Sequence, residues 1–288
     1  NRQSFDKLRT GSSIVNRQLL ITLAWALPFF LTTGGFYVKF MRYLQPLTPF
    51  LLLYGAALLL SWQWVWLRRV AVAVVLVGTG LYALSFVSLY GRPHPWVQAS
   101  HWIYAHVEPG ALILSEQWDD PLPTTMLING DLRRAGEYKN AELTWLARAG
   151  EGDDAVKLQA NLALLAEADY LVLTSNRVYG VTPRLPEMFP LSHQYHQLLF
   201  AGKLGYEVVG VYGRFPHIGS LYLKPDTFGW PGLTPPPAVT DYLARLPGVT
   251  LGRADESFLV YDQPLTLVWR NVGGLTVAEL AAQFVVGE

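Results

Sequence analysis

QLLITLAWALPFFLTTGGFYV (residues 18–38), YLQPLTPFLLLYGAALLLSWQWVWL (43–67) and VAVAVVLVGTGLYALSFVSLY (70–90) contain no Asp, Glu, Lys or Arg. An α-helix rises about 1.5 Å per residue, so roughly 20 apolar residues cross a hydrocarbon core of about 30 Å, and each stretch meets that length. Three transmembrane helices are therefore expected within residues 14–90. Pro28, Pro46 and Pro49 are compatible with this, because neighbouring helices or water can satisfy the backbone groups they release. Trp62, Trp64 and Trp66 precede Arg68 and Arg69, a pattern that suits a membrane interface, with indoles at headgroup depth and a tight arginine turn in water.

The charge distribution supports two environments. The 288 residues balance 22 basic against 22 acidic side chains, yet residues 1–90 hold eight basic and one acidic, and residues 91–288 hold fourteen basic and twenty-one acidic. With Arg68-Arg69 assigned to the cytoplasm by the positive-inside rule, three spans leave residues 91–288 extracytoplasmic. Half of the residues are hydrophobic, which excludes a disordered chain. No cysteine is present, which excludes disulfides and thiolate metal sites. The zero net charge gives no reason to expect nucleic acid as a partner. The opening SFDKLRTGSS (4–13) resembles translated repeat sequence at the ends of bacterial reading frames. Residues 1–13 are accordingly read as a non-native leader, and the chain as the C-terminal part of a longer one.

Residues 91–288 read as an α/β domain. Helical spacing over 96–107 leads into an apolar run at 111–116, and a Leu/Ala-rich helix over 155–168 leads into YLVLTS (170–175), as in a strand covered on both faces. A helix over 192–202 and strands near 206–212 and 220–224 follow. A Pro/Gly-rich surface linker occupies 228–237 and precedes a helix over 238–246. Runs 257–261 and 265–269, separated by Asp-Gln-Pro, look like a hairpin, and a short helix closes the chain at 277–284. This order predicts a largely parallel sheet with an antiparallel C-terminal addition.

Chemistry-bearing residues gather after the first two strands. Glu116, Trp118, Asp119 and Asp120 lie just past the first strand, where ligand crevices of open α/β sheets form. These carboxylates suit a metal or sugar hydroxyls, or else form a solvated acidic loop over Trp118. Arg177, Tyr179 and Arg184 follow the second strand. The two arginines suit a bidentate clamp on phosphate or carboxylate, or else tie down a long loop. His193 and His196 are three apart on a helix without an evident third ligand, which favours packing over metal binding. In the membrane part, Arg42 with Tyr43 stands beside Pro46 and Pro49, placed either to bind a lipid phosphate or to snorkel as an interfacial anchor.

RYLQPLTP (42–49) resembles the RYLLPLYP-type segment of GT-C membrane glycosyltransferases, of the protein O-mannosyltransferase and aminoarabinose transferase kind. ADYLVLTSNRVYGVTPRLPEMFPLSHQYHQLLFAGKLGYE (168–207) and ADESFLVYDQPLTLVWR (254–270) are similar to C-terminal segments of that group, including the bacterial and archaeal set named for a YYY motif. The resemblance implies a polyprenyl-phosphate sugar donor in the lipid bilayer and a catalytic aspartate in an early extracytoplasmic loop. A divalent metal often accompanies the donor phosphate; no covalently bound cofactor is implied. Such enzymes have many transmembrane helices, so an N-terminal transmembrane region bearing the aspartate is expected to be missing here, and the fragment to be inactive alone. Arg42 and Tyr43 become candidate donor-phosphate contacts, and Glu116, Trp118, Asp119, Asp120, Arg177, Tyr179 and Arg184 acceptor or structural-loop residues. The rival expectation is a membrane-anchored, extracytoplasmic glycan-binding or interaction protein without catalysis. A soluble hydrolase using Glu116 and Asp119 is a third.

Overall fold

A computed structural model of the chain describes residues 19–36, 41–146, 153–254 and 256–285. The leader expected over 1–13 lies outside the described residues. The chain divides into two compact units, Asn1–Gly80 and Leu81–Glu288.

In the first unit, helix α1 (Leu19–Gly34) is followed by a 3-10 turn (Met41–Leu47), α2 (Thr48–Leu60) and α3 (Val65–Val87). Pro49 starts α2 within its first turn, where no intrahelical N–H is required. The α1 helix meets α2 through the Tyr54 hydroxyl, which donates to Thr22 Oγ1 at 2.9 Å, and through Trp25, whose ring lies 5.1 Å from that of Phe50.

Two helical runs, Met41–Leu60 and the one beginning at Val65, are long and apolar enough to cross a membrane. Only 6% of each run's most apolar window is buried in the protein, and Leu51, Leu52, Leu76 and Leu84 are about two-thirds bare. A core helix of a water-soluble protein hides such a surface. Exposed all round, these helices point to association with a membrane. The expected three full-length spans are thus two by length, because α1 falls short over its described residues.

The boundary between the second and third stretches also moves. The second helix ends at Leu60, where the Ser61 hydroxyl donates to the Leu58 carbonyl and its N–H to the Ala57 and Leu58 carbonyls. Arg68 and Arg69 lie in the opening turns of α3 instead of forming the turn themselves. The Arg68 guanidinium donates to the Leu60 carbonyl at 3.3 Å, satisfying an acceptor that the end of α2 leaves open.

The second unit continues with α4 (Pro95–His106), β1 (Leu112–Glu116), β2 (Met126–Ile128), β3 (Asp131–Arg133), β4 (Lys139–Leu143), α5 (Ala155–Glu167), β5 (Tyr170–Leu173) and α6 (Pro190–Phe200). Then come β6 (Tyr206–Gly213), β7 (His217–Ile218), β8 (Leu221–Lys224), α7 (Pro237–Ala244), β9 (Gly248–Thr250), α8 (Glu256–Leu259), β10 (Leu265–Asn271) and α9 (Val277–Ala281). The main sheet has strand order β4-β1-β5-β10-β6.

Alternate side chains of the central strands face opposite layers. Ile113, Val172 and Val268 meet Ala99, Ile103 and Val107 of the α4 segment, whereas Leu114, Leu171, Leu173, Leu267 and Trp269 share the other core with leucines of α5 and α6. A helix–sheet–helix sandwich follows from that period-two alternation.

The sheet is mixed, not largely parallel. The β4-β1 and β1-β5 pairings are parallel, but β10 pairs antiparallel with both β5 and β6. The apolar run LTLVW, buried throughout, is the reason: a strand hidden on both faces takes a central place, although its segment comes last in the chain. The expected hairpin between 257–261 and 265–269 is consequently absent. Leu259 and Val260 are both buried while Phe258 and Tyr261 are exposed; adjacent burial of this kind suits the helix turn found at α8, and both edges of β10 are already paired.

The 228–237 segment is anchored, since Phe228 and Leu233 insert into the core. Sequence reading overlooked the β2-β3 hairpin, although Asn129-Gly130 carries the signal: both residues have positive φ, 54° and 92°, as a two-residue hairpin turn requires.

Candidate functional site

The carboxyl ends of β1 and β5 bring together residues more than 50 positions apart in the chain. Glu116 ends β1 and points to α6, where its Oε1 lies 3.0 Å from His196 Nε2; both side chains are fully buried. His196 Nδ1 sits 2.8 Å from the Ser192 carbonyl. A carbonyl only accepts, so Nδ1–H donates to it and Nε2 faces the Glu116 carboxyl. The other Glu116 oxygen has no hydrogen-bond partner among the described residues. His193 does not join His196; its Nδ1 lies 2.8 Å from the Pro183 carbonyl.

Asp119 links the two strand ends. Its carboxyl accepts from the Ser175 hydroxyl at 2.6 Å and from the N–H groups of Ser175 and Thr174 at 3.1 and 3.2 Å. Burial pushes its pKa up to about 7, with the nearby Glu116 charge adding, against the three donors that favour the ionised form. Tyr179 and Tyr195 are fully buried, and burial first, then the carboxylates, holds both phenols well above their ordinary pKa. Tyr179 stacks on Phe228, which makes it a core residue.

Between these acids the chain turns sharply, with the Asp119 N–H donating to the Glu116 carbonyl at 3.0 Å. Trp118 occupies the turn position with φ +68°, normally taken by glycine, and the residue is 64% exposed. A bulky residue in the left-handed region is strained backbone that the surrounding contacts must hold in place. Asp120 beside it is exposed. The Arg177 guanidinium donates to the Trp118 carbonyl and, at 3.2 Å, to the Tyr261 hydroxyl. His94 and Trp96 complete the rim: His94 Nε2 lies 2.8 Å from the Tyr261 carbonyl, and burial lowers the His94 pKa. Trp96 Nε1 donates to the Thr174 carbonyl at 3.0 Å.

Trp118→Gly is expected to leave the unfolding free energy within about 1 kcal/mol of the parent, since relief of backbone strain offsets the greater freedom of the unfolded chain. A melting temperature lowered by more than roughly 5 °C would show instead that the indole packs for stability.

Glu116, Trp118, Asp119, Asp120 and Arg177 therefore share one end of the sheet. Arg184 does not join them; it stands over Trp230, 3.6 Å from the ring centroid, so the two arginines meet different groups. The exposed rim suits recognition: an indole for the apolar face of a sugar and the Asp120 carboxylate for hydroxyls. The Glu116–His196 pair has no solvent contact, so it acts on the framework and not on a ligand. Among the described residues no group of three or more His, Asp or Glu side chains is placed to hold a metal ion. The Glu116–His196 contact escaped the sequence because 80 residues separate the pair; only the apolar i, i+4 neighbours Leu191, Tyr195 and Leu199 mark the inward face of α6.

In the first unit, the Arg42 guanidinium lies 5.8 Å from the Tyr43 ring centroid, and Phe36 meets the same ring edge-on at 6.0 Å. Tyr43 and Phe36 join Trp25, Pro28 and Phe29 in lining an open apolar cleft of about 640 Å³.

No family model matches the chain, and no curated protein or solved structure is significantly similar to it.

Proposed function

We propose that the chain is the C-terminal portion of a polytopic membrane glycosyltransferase, which moves a sugar from a polyprenyl-phosphate donor to an acceptor on the extracytoplasmic side. The observation that carries this reading is the apolar, aromatic-lined cleft at Tyr43 with Arg42 beside it, together with the resemblance of RYLQPLTP to GT-C enzymes. A polyprenyl phosphate is an amphiphile: its chain needs an apolar groove and its head a cation. A guanidinium near a membrane interface offers two parallel N–H donors to phosphate oxygens.

In this reading α1, α2 and α3 cross the bilayer with Arg68 and Arg69 on the cytoplasmic side, the second unit lies outside, and its Trp118 rim serves as the acceptor platform. The base that deprotonates the acceptor belongs to the preceding transmembrane region. A divalent metal at the donor phosphate is a further feature of such enzymes, but residues 14–90 contain no Asp or Glu. They supply no carboxylate ligand for such an ion.

Arg42→Ala, in the chain reconstituted in nanodiscs, is expected to weaken polyprenyl-phosphate binding about 10-fold or more, the value of a charge-assisted hydrogen bond of roughly 1.5–3 kcal/mol. Unchanged affinity overturns the assignment of this cleft. Sugar transfer by the purified 288-residue chain alone would overturn the placing of the base outside it.

The exposed, strained Trp118 favours a second reading, a membrane-anchored glycan-binding protein without catalysis. Saturable binding of envelope glycans through Trp118, with no affinity for polyprenyl phosphate, would select it.

A further inference from the structure

Arg184, Trp230 and Arg253 come from three separate loops: the 3-10 turn Thr182–Arg184, the Pro/Gly-rich segment after β8, and the segment after β9. The Arg184 and Arg253 guanidinium carbons lie 3.6 and 3.7 Å from the same indole centroid. Two groups at contact distance above one ring cannot share a face without overlapping, so they cover opposite faces. The loop bearing Trp230 is held from both sides. Asp226 Oδ1 accepts the Gly229 N–H at 2.7 Å, the Leu233 N–H donates to the Phe228 carbonyl at 3.1 Å, and Phe228 is buried against Tyr179.

Two like charges are thus fixed about twice a stacking distance apart, and among the described residues neither forms an ion pair or a side-chain hydrogen bond. The Arg184 Nε–H is buried and has no acceptor. Burial and the Arg253 charge both lower the Arg184 pKa, as expected where no anion compensates. Cation–π contact holds the guanidiniums in place but leaves their N–H edges unused. With a guanidinium over each face, the half-exposed indole acts as a spacer between the two charges.

We propose that Arg184, Trp230 and Arg253 form a binding site for a phosphate-type oxyanion, with a diphosphate as the preferred occupant. A carboxylate has two coplanar oxygens and is satisfied by one guanidinium fork, leaving the second charge unpaired. A tetrahedral phosphate presents oxygens in more than one plane, and a diphosphate spans a wider separation, so it reaches N–H edges on both sides of the ring. The site lies in the second unit and does not depend on the transferase reading.

Calorimetric titration of the full chain with pyrophosphate, inorganic phosphate and acetate tests this. Affinity is expected to fall in that order, by about 10-fold or more from pyrophosphate to phosphate. R184A and R253A are each expected to weaken pyrophosphate binding at least about 10-fold, R184A/R253A to abolish binding, and R42A to leave it unchanged. The variants R184K and R253K, which keep charge and stem, guard against misfolding; each is expected to retain the parent melting temperature and bind several-fold more weakly, because the fork is lost. No saturable pyrophosphate binding by the parent, or equal binding by a folded R184A/R253A, overturns the proposal. Competition of pyrophosphate with a polyprenyl diphosphate in nanodiscs identifies a lipid-borne source, and absence of competition a soluble one; either leaves the site assigned.

Discussion

Replacing His196 by alanine is expected to lower the unfolding free energy of the second unit by about 3–5 kcal/mol, the magnitude seen when one member of a buried ion pair is removed. Glu116 would then face a void in a region from which water is excluded, with both oxygens unpartnered in place of one. For a unit of this size the change corresponds to a fall of roughly 10 °C in melting temperature. Glu116→Ala is expected to act similarly, because it removes the acceptor that fixes the His196 ring. The double replacement Glu116→Leu with His196→Leu should recover much of the loss, since apolar side chains of similar volume need no partner. Glu116→Leu and His196→Leu made singly, with the parent and the double variant, are the four corners of the cycle, and thermal unfolding followed by tryptophan fluorescence reads them. Additive losses, with no recovery in the double variant, would mean that the two groups are not coupled.

Asp119 sets a pH dependence of comparable size. Its carboxyl titrates near 3.8 when unfolded and at about 7 in the fold, so the folded state holds the proton more tightly. The stabilisation is fully present below about pH 4 and is lost as pH rises through about 7. A shift of this size corresponds to about 4 kcal/mol. An asparagine side chain in this position copies the protonated form: its carbonyl can face the Thr174 and Ser175 N–H groups while its amide donates to the Ser175 hydroxyl. Relative to the parent, Asp119→Asn should therefore gain several kcal/mol between about pH 4 and pH 8. Parallel stability profiles over that range would show that Asp119 carries its charge in the fold throughout.

The two predictions share a cause that the sequence displays only in part. Glu116 at the end of an apolar run, with Asp119 after a turn, is readable as a strand-end acidic loop. That reading leaves open whether the carboxylates face water. Their burial arises because α6 covers β1 and delivers His196, and because Ser175 at the end of β5 caps Asp119. Neither contact has a local signature. Arg177 and Arg184 are close in the chain, and a clamp between them is a natural reading; the Thr182–Arg184 turn instead sends Arg184 towards Trp230, on a distant loop. Other features were legible but missed, as with Asn129-Gly130, whose turn chemistry needs nothing beyond its neighbours.

Hydrophobic periodicity and run length act locally, so the apolar helices of the first unit and the alternation of helix and strand in the second can be read along the chain. So can the placing of the acidic residues at a strand end. That β10 wedges between β5 and β6, that α3 begins before Arg68, and that Glu116 meets His196 and Arg184 meets Trp230 emerges only on packing. Those outcomes depend on which buried surfaces compete for the same neighbours, a choice made by the energy of the whole packed arrangement and not by any one segment.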